Sequence, residues 1–500
     1  MTKLLQKIYG SRFNPLYQSG VLAVFFILLA VISGLILIIF YRVSAPYESV
    51  VAMQANPILA VIRGVHRYSS DAAVLAVVVH ALKMFVGKCA FGPRARAWAS
   101  GVFLTALMIV IGLSGLMLVW DVQAQRLALA GVRIVEMLPI FSEPPRRIFA
   151  DQSNVGSAFF FILVFFHMAM PLGLAFLLWM HTSRLARAVY LPEKAICALW
   201  TGAIVVIALL IPAPMDPAAD LTRLPGGARL DLWYTFWLPL EEKLGGPATA
   251  LLMVGVMGLV AAYPWLGRPA EPPPPSVVDE KFCDGCTQCY QDCPYDAISM
   301  VARTFYNDGR HSELVARVDP DLCVSCGICA ASCKPMGVGP PERTGRDQMK
   351  TLESTLKATP LKGDELVVLA CATGCGMSSE FRNREGIRLI PTPCSGSLHT
   401  SVMELALRRG ALGVMVISCP SRDCTNREGP KWLEQRVYHD REAELMARVD
   451  RRRVRLEQAS RADSKEAVTS AVTFLEELRA LAAPEPLEEM ESICVPPSDI

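Results

Sequence analysis

The sequence predicts a multi-domain chain: an all-α transmembrane bundle of six helices, then an α+β module, then a small α/β module. Three observations predict it. Six apolar stretches, near 19–41, 64–87, 99–120, 156–181, 196–213 and 247–266, approach the roughly 20 residues needed to span hydrocarbon. Composition then changes, because only Cys89 and Cys197 of the 16 cysteines precede residue 268. The remaining cysteines fall into tightly spaced runs among strand-like and helix-like segments. A chain of 500 residues exceeds one ordinary core. Boundaries are expected at 1–267 for the bundle, 268–280 for a stiff proline-rich spacer, 281–345 and 362–482 for the two modules, and 483–500 for a tail.

Net charge is +2, so nothing marks a nucleic-acid footprint. The fifth apolar stretch is the shortest and ends at Pro212 and Pro214. An even number of spans puts both termini on one face. Lys and Arg are level between the faces, with the inner charges in shorter loops. No cleavable signal precedes the chain, and a cysteine-rich half follows the last span. The expectation is therefore a multi-pass protein of the cytoplasmic (inner) membrane, with both termini and both modules in the reducing cytoplasm.

Four of the seven histidines lie inside apolar stretches: His66 and His80 in the second, His167 and His181 in the fourth. Ionisable residues at that depth are functional candidates by default. Each pair is 14 residues apart, about 21 Å along a helix and about 40° around it. Two parallel helices carrying such pairs can grip two stacked haems, each iron between two imidazoles. A lone intramembrane histidine is more often a hydrogen-bonded core residue; two equal pairs on alternate spans argue against that. Gly20 and Gly34 on the first stretch, and Gly101 and Gly115 on the third, repeat the same interval. A missing Cβ lets a flat macrocycle approach the backbone, whereas simple helix packing does not explain four equal intervals.

On these residues the N-terminal half resembles the cytochrome b of bc-type complexes. Arg63-x-x-His66 matches that family's Arg-x-x-His, and His167 with Pro171 its His-x-x-x-Pro. Trp98, Gly101, Gly115 and Leu118-Val119-Trp120-Asp121 follow its third helix, and the last two spans look like its subunit IV. The resemblance implies that Arg63 pairs with a haem propionate, that His66 and His167 hold an outer haem b, and that His80 and His181 hold an inner one. It also implies a quinone site in the loop before the sixth span, where the family carries Pro-Glu-Trp-Tyr. Here the loop reads Asp231-Leu232-Trp233-Tyr234, with leucine in place of the proton-accepting glutamate. Asp231 and Tyr234 are the remaining candidates for proton handling, and bifurcating quinol oxidation is not expected. No Cys-x-x-Cys-His motif for covalent haem occurs.

Beyond the spacer, Cys283, Cys286, Cys289 and Cys293-Pro294 form an x2-x2-x3 run, and Cys323, Cys326, Cys329 and Cys333 repeat it. This is the bacterial two-cluster ferredoxin spacing, in which the fourth cysteine of each run serves the other cluster. One [4Fe–4S] cluster then takes Cys283, Cys286, Cys289 and Cys333, the other Cys323, Cys326, Cys329 and Cys293. Zinc sites pair two-cysteine knuckles and need no such run. Lys334 stands before Pro335 without disturbing a ligand, and the long stretch 294–322 is expected to add a hairpin.

A third set comprises Cys371, Cys375, Cys394, Cys419 and Cys424. Strand-like runs at Leu366–Ala370, Ile387–Ile390 and Val414–Ile417, with a helix near 400–409, predict a parallel sheet with cysteines at strand carboxyl ends. Pro393-Cys394-Ser395-Gly396, Gly413-Val414-x-Val416, Cys419-x4-Cys424 and Arg455-Leu456-Glu457-x-x-Ser460 resemble the delta subunit of methyl-viologen-reducing hydrogenase. That resemblance implies one [2Fe–2S] centre. Five cysteines for four ligands leave one unassigned, and zinc or thiol redox chemistry stays open.

Cys89, Cys197, Cys494, His311, His399 and His439 read as bland, and Arg451–Arg455 as a solvated helix face or docking surface. With no nucleophile motif, phosphate loop or flavin fingerprint, substrate chemistry is expected on another subunit. The first expectation is an electron relay between a cytoplasmic flavin-, molybdenum/tungsten- or NiFe-containing oxidoreductase and membrane quinone. A membrane anchor or redox sensor without quinone turnover is the alternative, and a homodimer is compatible with either.

Overall fold

The computed structural model describes residues 15–86, 89–91, 94–136, 144–149, 155–183, 188–223, 231–267, 273–305, 312–382, 384–421 and 424–481. His311, Cys494, and the tail from residue 482 lie outside the described residues, as does the stretch 224–230 before Asp231. The chain divides into two compact units, one over Pro15–Pro272 and one beginning at Pro273.

The first unit is helical. It comprises α1 (Ser19–Phe40), α2 (Pro46–Ala55), α3 (Pro57–Val86), α4 (Ala95–Met117), α5 (Val122–Val135), α6 (Ser157–Thr182), α7 (Lys194–Leu210), α8 (Leu238–Leu244) and α9 (Gly246–Leu266). Among the described residues five of these are long and apolar enough to cross a membrane: α1, α3, α4, α6 and α9. The fifth expected span, α7, has only 17 residues, about 25 Å at 1.5 Å per residue. A multi-pass membrane protein follows. α3 starts at Pro57 rather than near 64, because Asn56 Oδ1 accepts the amides of Ile58 (3.0 Å) and Leu59 (3.2 Å). A cap with proline at the first helical position sets that end, whereas hydropathy stops at Arg63.

α1 packs along α3 and α4 along α6, while α7 lies against α3 and α9 against α4. Leu22, Phe26, Val65, Ala73, Leu104, Met108, Leu174 and Ile204 share the core between them. Phe161, Phe165, Phe166, Leu172 and Phe176 of α6 stay exposed, as lipid-facing side chains do. Helices α2, α5 and α8 were not expected from hydropathy. Asp121 caps α5 through Ala124 N–H (2.9 Å), and Arg133 of α5 forks onto Glu241 of α8 at 2.7 and 2.8 Å.

The second unit begins with two short antiparallel pairs. β1 (Val277–Val278) pairs with β4 (Val338–Gly339), and β2 (Ile298–Ala302) with β3 (Leu314–Val318). The latter is the hairpin expected within 294–322. Helices α10 (Gln288–Gln291) and α11 (Ile328–Ser332) lie within the two cysteine runs and carry Cys289 and Cys329. The runs are a structural repeat offset by 40 residues: Gly285, Thr287 and Asp296 have positive φ, and so do Ser325, Gly327 and Met336.

After α12 (Gly345–Ala358) comes a four-stranded parallel sheet of β5 (Leu366–Cys371), β6 (Ile387–Thr392), β7 (Gly413–Ser418) and β8 (Val454–Gln458), in order β6-β5-β7-β8. α13 (Thr400–Arg408) and α14 (Gly429–Tyr438) pack with α12 on one face through Val367, Leu369, Val414 and Val416. α15 (Ser464–Ala480) covers the other face through Leu366, Val368, Met415 and Ile417. The alternation is that of a strand buried on both sides. The expected helix face at Arg451–Arg455 is not found. Arg451–Arg453 form a 3-10 turn, Arg453 donates to the carbonyls of Ala411 (2.7 Å) and Leu412 (2.9 Å), and Val454 opens β8.

Candidate redox-cofactor sites

The helix pairing puts each histidine against a glycine. A Cβ added at Gly34 would lie 2.9 Å from the His66 ring, at Gly115 2.9 Å from His167, at Gly20 3.0 Å from His80, and at Gly101 3.3 Å from His181. The 14-residue glycine interval thus mirrors the histidine interval across two helix interfaces. The open space at these glycines is taken up by imidazole.

The residue before each glycine is serine, a repetition legible in the sequence and passed over in reading it: Ser19, Ser33, Ser100 and Ser114. Ser114 Oγ lies 2.9 Å from His167 Nδ1, and Ser100 Oγ 2.8 Å from His181 Nδ1. Each hydroxyl gives its own hydrogen to its helix, Ser114 to Ile111 O (2.7 Å) and Ser100 to Ala97 O (3.0 Å). The ring nitrogen is therefore the donor. His66 Nδ1 donates to Ala30 O at 2.8 Å, with Ser33 Oγ at 3.3 Å. With Nδ1 carrying the proton, Nε2 keeps its lone pair for a metal.

The His66 and His167 ring centres are 6.3 Å apart with planes at 71°. Two metal–imidazole bonds of about 2.0 Å, plus about 1.1 Å from nitrogen to ring centre at each end, make about 6.2 Å. The residues present fit an axial pair on one iron. A cavity of about 830 Å³ adjoins this pair, lined by Gly34, Gly115, Arg63 and Pro171 among others, within the usual size of cofactor pockets, roughly 300–1,000 Å³. Arg63 is buried there and donates to Gln54 Oε1 (2.6 Å), Ala213 O (2.9 Å) and Pro214 O (2.7 Å).

Asp231 and Tyr234 line the same cavity. Asp231 Oδ1 accepts the amides of Trp233 (2.9 Å) and Tyr234 (3.1 Å), while Oδ2 pairs with Arg67. Arg67 also reaches Asp71 at 3.3 Å and lies 5.3 Å over the Tyr234 ring. The Tyr234 hydroxyl is 2.6 Å from Ser70 Oγ, and its ring fills the space left by Gly112. Leu232 is 73% exposed.

In the second unit, a small cavity is lined by Cys283, Cys286, Cys289 and Cys333, with Gly285, Gly337 and Val338 around them. Cys333 thus stands with the first run, as the spacing predicts. Backbone amides turn toward the sulfurs: Gly337 N is 3.2 Å from Cys333 Sγ, Ala297 N 3.4 Å from Cys293 Sγ and Ser276 N 3.4 Å from Cys323 Sγ. Ser276 Oγ lies 3.4 Å from Cys329 Sγ. Burial pushes the Cys286 thiol up to about 12 and the Cys333 thiol to about 11. Such thiolates persist only where a cation compensates them. Among the described residues no three His, Cys, Asp or Glu converge as for a single ion; a cubane spreads its thiolates over four corners.

The third set gathers at the carboxyl ends of β5, β6 and β7, across the point where strand order reverses, the usual ligand position in such sheets. Cys371 and Cys419 sulfurs are 3.4 Å apart. A Cβ at Gly429 would lie 3.4 Å from Cys424 Sγ and 3.5 Å from Cys394 Sγ. Hydrogen bonds from Cys394 and Cys419 favour the Cys371 thiolate. Cys375 is elsewhere: fully buried among Leu366, Val368, Ala370 and Phe381 on the α15 face. His399 caps α13, accepting Ser401 N–H at Nδ1 (3.2 Å) and donating from Nε2 to Cys333 O (3.2 Å). Spacing gave no hint of that second contact.

Three family profiles match in chain order: Cytochrome b/b6/petB over residues 4–189, the 4Fe-4S dicluster domain over 282–337, and the methyl-viologen-reducing hydrogenase delta subunit over 367–482. The menaquinol:cytochrome c reductase cytochrome b subunits of Geobacillus thermodenitrificans and Bacillus subtilis (strain 168) are each 28% identical over 166 residues, 32% of this chain and 74% of theirs. A structure titled "Hyperthermophilic respiratory Complex III" aligns at 17% identity and TM-score 0.37, covering 50% of this chain and 75% of that one. The chain therefore joins a cytochrome b region, a 4Fe-4S dicluster domain and a hydrogenase delta-subunit domain, and it is a membrane electron-transfer subunit of respiratory type.

Proposed function

We propose that the protein carries electrons between a cytoplasmic redox enzyme and membrane quinone, with its modules on the cytoplasmic side of the inner membrane. When bound, two b haems, two [4Fe–4S] clusters and one [2Fe–2S] centre supply one-electron chemistry. The chain's residues do the rest. His66/His167 and His80/His181 would present Nε2 pairs, with the rings of His66, His167 and His181 oriented through Nδ1. The two cysteine runs exchange their fourth members, and Cys371, Cys394, Cys419 and Cys424 supply the third set, leaving Cys375 as core. Asp231, held by Arg67, and Tyr234, held by Ser70, would handle protons for quinone in the cavity shared with His66 and His167.

The observation that carries this reading is the matched set of four glycine–histidine contacts, each of which clears helix backbone for an imidazole. Substrate chemistry falls to a partner subunit of flavin, molybdenum/tungsten or NiFe type. The test is anaerobic reduction of the full chain in proteoliposomes by menaquinol or ubiquinol, followed optically at the haem α-band. Haem reduction within a turnover time is expected. Haem that quinol does not reduce, while dithionite does, would leave only an anchor or sensor.

A further inference from the structure

The second unit encloses one fully buried arginine, Arg436 on α14. Its Nη1 donates to Ser332 Oγ (3.1 Å) and lies 3.3 Å from Asp292 Oδ2, and its Nη2 donates to Gly396 O (2.9 Å). Nε, equally buried, has no partner. Asp292 is used at both oxygens, since Ser332 Oγ also donates to Oδ2 (2.7 Å) and Arg441 to Oδ1 (2.5 and 3.0 Å). Its carboxylate is 1% exposed.

The sequence neighbours give the arrangement its interest. Asp292 precedes Cys293, Ser332 precedes Cys333, and Gly396 follows Cys394 by two residues. One guanidinium therefore touches the chain beside a cysteine of the first run, of the second run and of the third set. Around it two arginines face one aspartate, Arg436 fully buried and Arg441 22% exposed. An apolar side chain of similar volume would fill the space at equal or lower free-energy cost, since burying charge is expensive even when paired. Stability alone does not explain the arginine.

We propose that Arg436 is the positioning residue that couples the third cysteine set to the ferredoxin module, its buried cation stabilising the reduced state of the centres on both sides of it. This rests on the ligand assignment proposed above. One electron leaves the reduced centre held at Cys394 and reaches the oxidised centre held at Cys333 or Cys293. No proton or other reactant is exchanged. Arg436 contributes a hydrogen-bonded connection from Gly396 O to Ser332 Oγ, and a fixed charge that stabilises the more negative, reduced state at both ends.

The experiment is a redox titration of the full chain, read by EPR at constant iron content, for wild type and three variants. Arg436→Gln should lower the potentials of the third centre and of the ferredoxin module, by about 59 mV for one electron, a tenfold change. Arg436→Lys, which keeps the cation, should stay near wild type. Asp292→Asn removes the opposing charge and should shift the potentials upward. Unmoved potentials in Arg436→Gln, or a downward shift in Asp292→Asn, would overturn the proposal, and Asp292→Asn decides alone if Arg436→Gln fails to fold. A wild-type protein without a third EPR signal would instead overturn the ligand assignment, and this coupling with it.

Discussion

The Ser114 hydroxyl lies 2.9 Å from Nδ1 of His167 while its own hydrogen goes to Ile111 O, 2.7 Å away. That relay runs from helix carbonyl to hydroxyl to imidazole and fixes which ring nitrogen is protonated. Ser114→Ala should leave the ring N–H with only the Ile111 carbonyl as partner and weaken haem retention by about tenfold. Ser114→Thr should restore it. Pyridine haemochrome content during detergent dilution measures this; wild-type retention by the alanine variant would count against the relay.

Replacing His80 or His181 with Ala should remove one haem and spare the other, because the two pairs sit at separate glycine positions. Haem quantified against protein should fall by about half. A variant keeping both haems would refute the pairing.

Cys375→Ser should leave the third centre in place, since Cys375 lies in the core on the α15 face. Serine at Cys371, Cys394, Cys419 or Cys424 should remove it. Fe–S iron, about ten atoms per chain from four, four and two, should drop to about eight. Anaerobic iron analysis with EPR distinguishes these outcomes, and loss of the centre in Cys375→Ser would reverse the assignment.

With quinone in the cavity beside His66 and His167, as proposed, the reaction would be sensitive to membrane potential. Electrons entering from the cytoplasmic face and protons entering from the outer one both move with the field, worth about 2.3 kcal/mol per charge per 100 mV. In sealed vesicles the partner-to-quinone rate should change with imposed potential, and Asp231→Asn or Tyr234→Phe should slow it. A rate indifferent to potential and uncoupler would place the quinone on the cytoplasmic face.

The long apolar helices and the cysteine-bearing strands are legible in the sequence because each rests on a local period. α1, α4, α6 and α9 begin within a few residues of their apolar stretches, and β5, β6 and β7 contain the expected runs. What escapes is what depends on contact. α5 binds through Asp121 and Arg133 to partners far along the chain, so its short amphipathic pattern carries little hydropathy. Arginine at 451–453 reads as a solvated charge run, yet Arg453 spends its hydrogen bonds on the turn before β7. The spare cysteine of the third set is decided by which face of the sheet its loop turns to, and the role of Arg436 by three loops meeting.

The cavity closed by Cys333 has a consequence for how the protein is made. Cys283, Cys286 and Cys289 leave the ribosome first, but the fourth wall of their cavity is 50 residues downstream of Cys283. Iron delivered to a nascent chain that stops short of Cys333 meets three thiols and an open corner. The two halves of the 40-residue repeat should therefore mature together, and a truncation anywhere between them should yield a polypeptide that assembles neither [4Fe–4S] cluster.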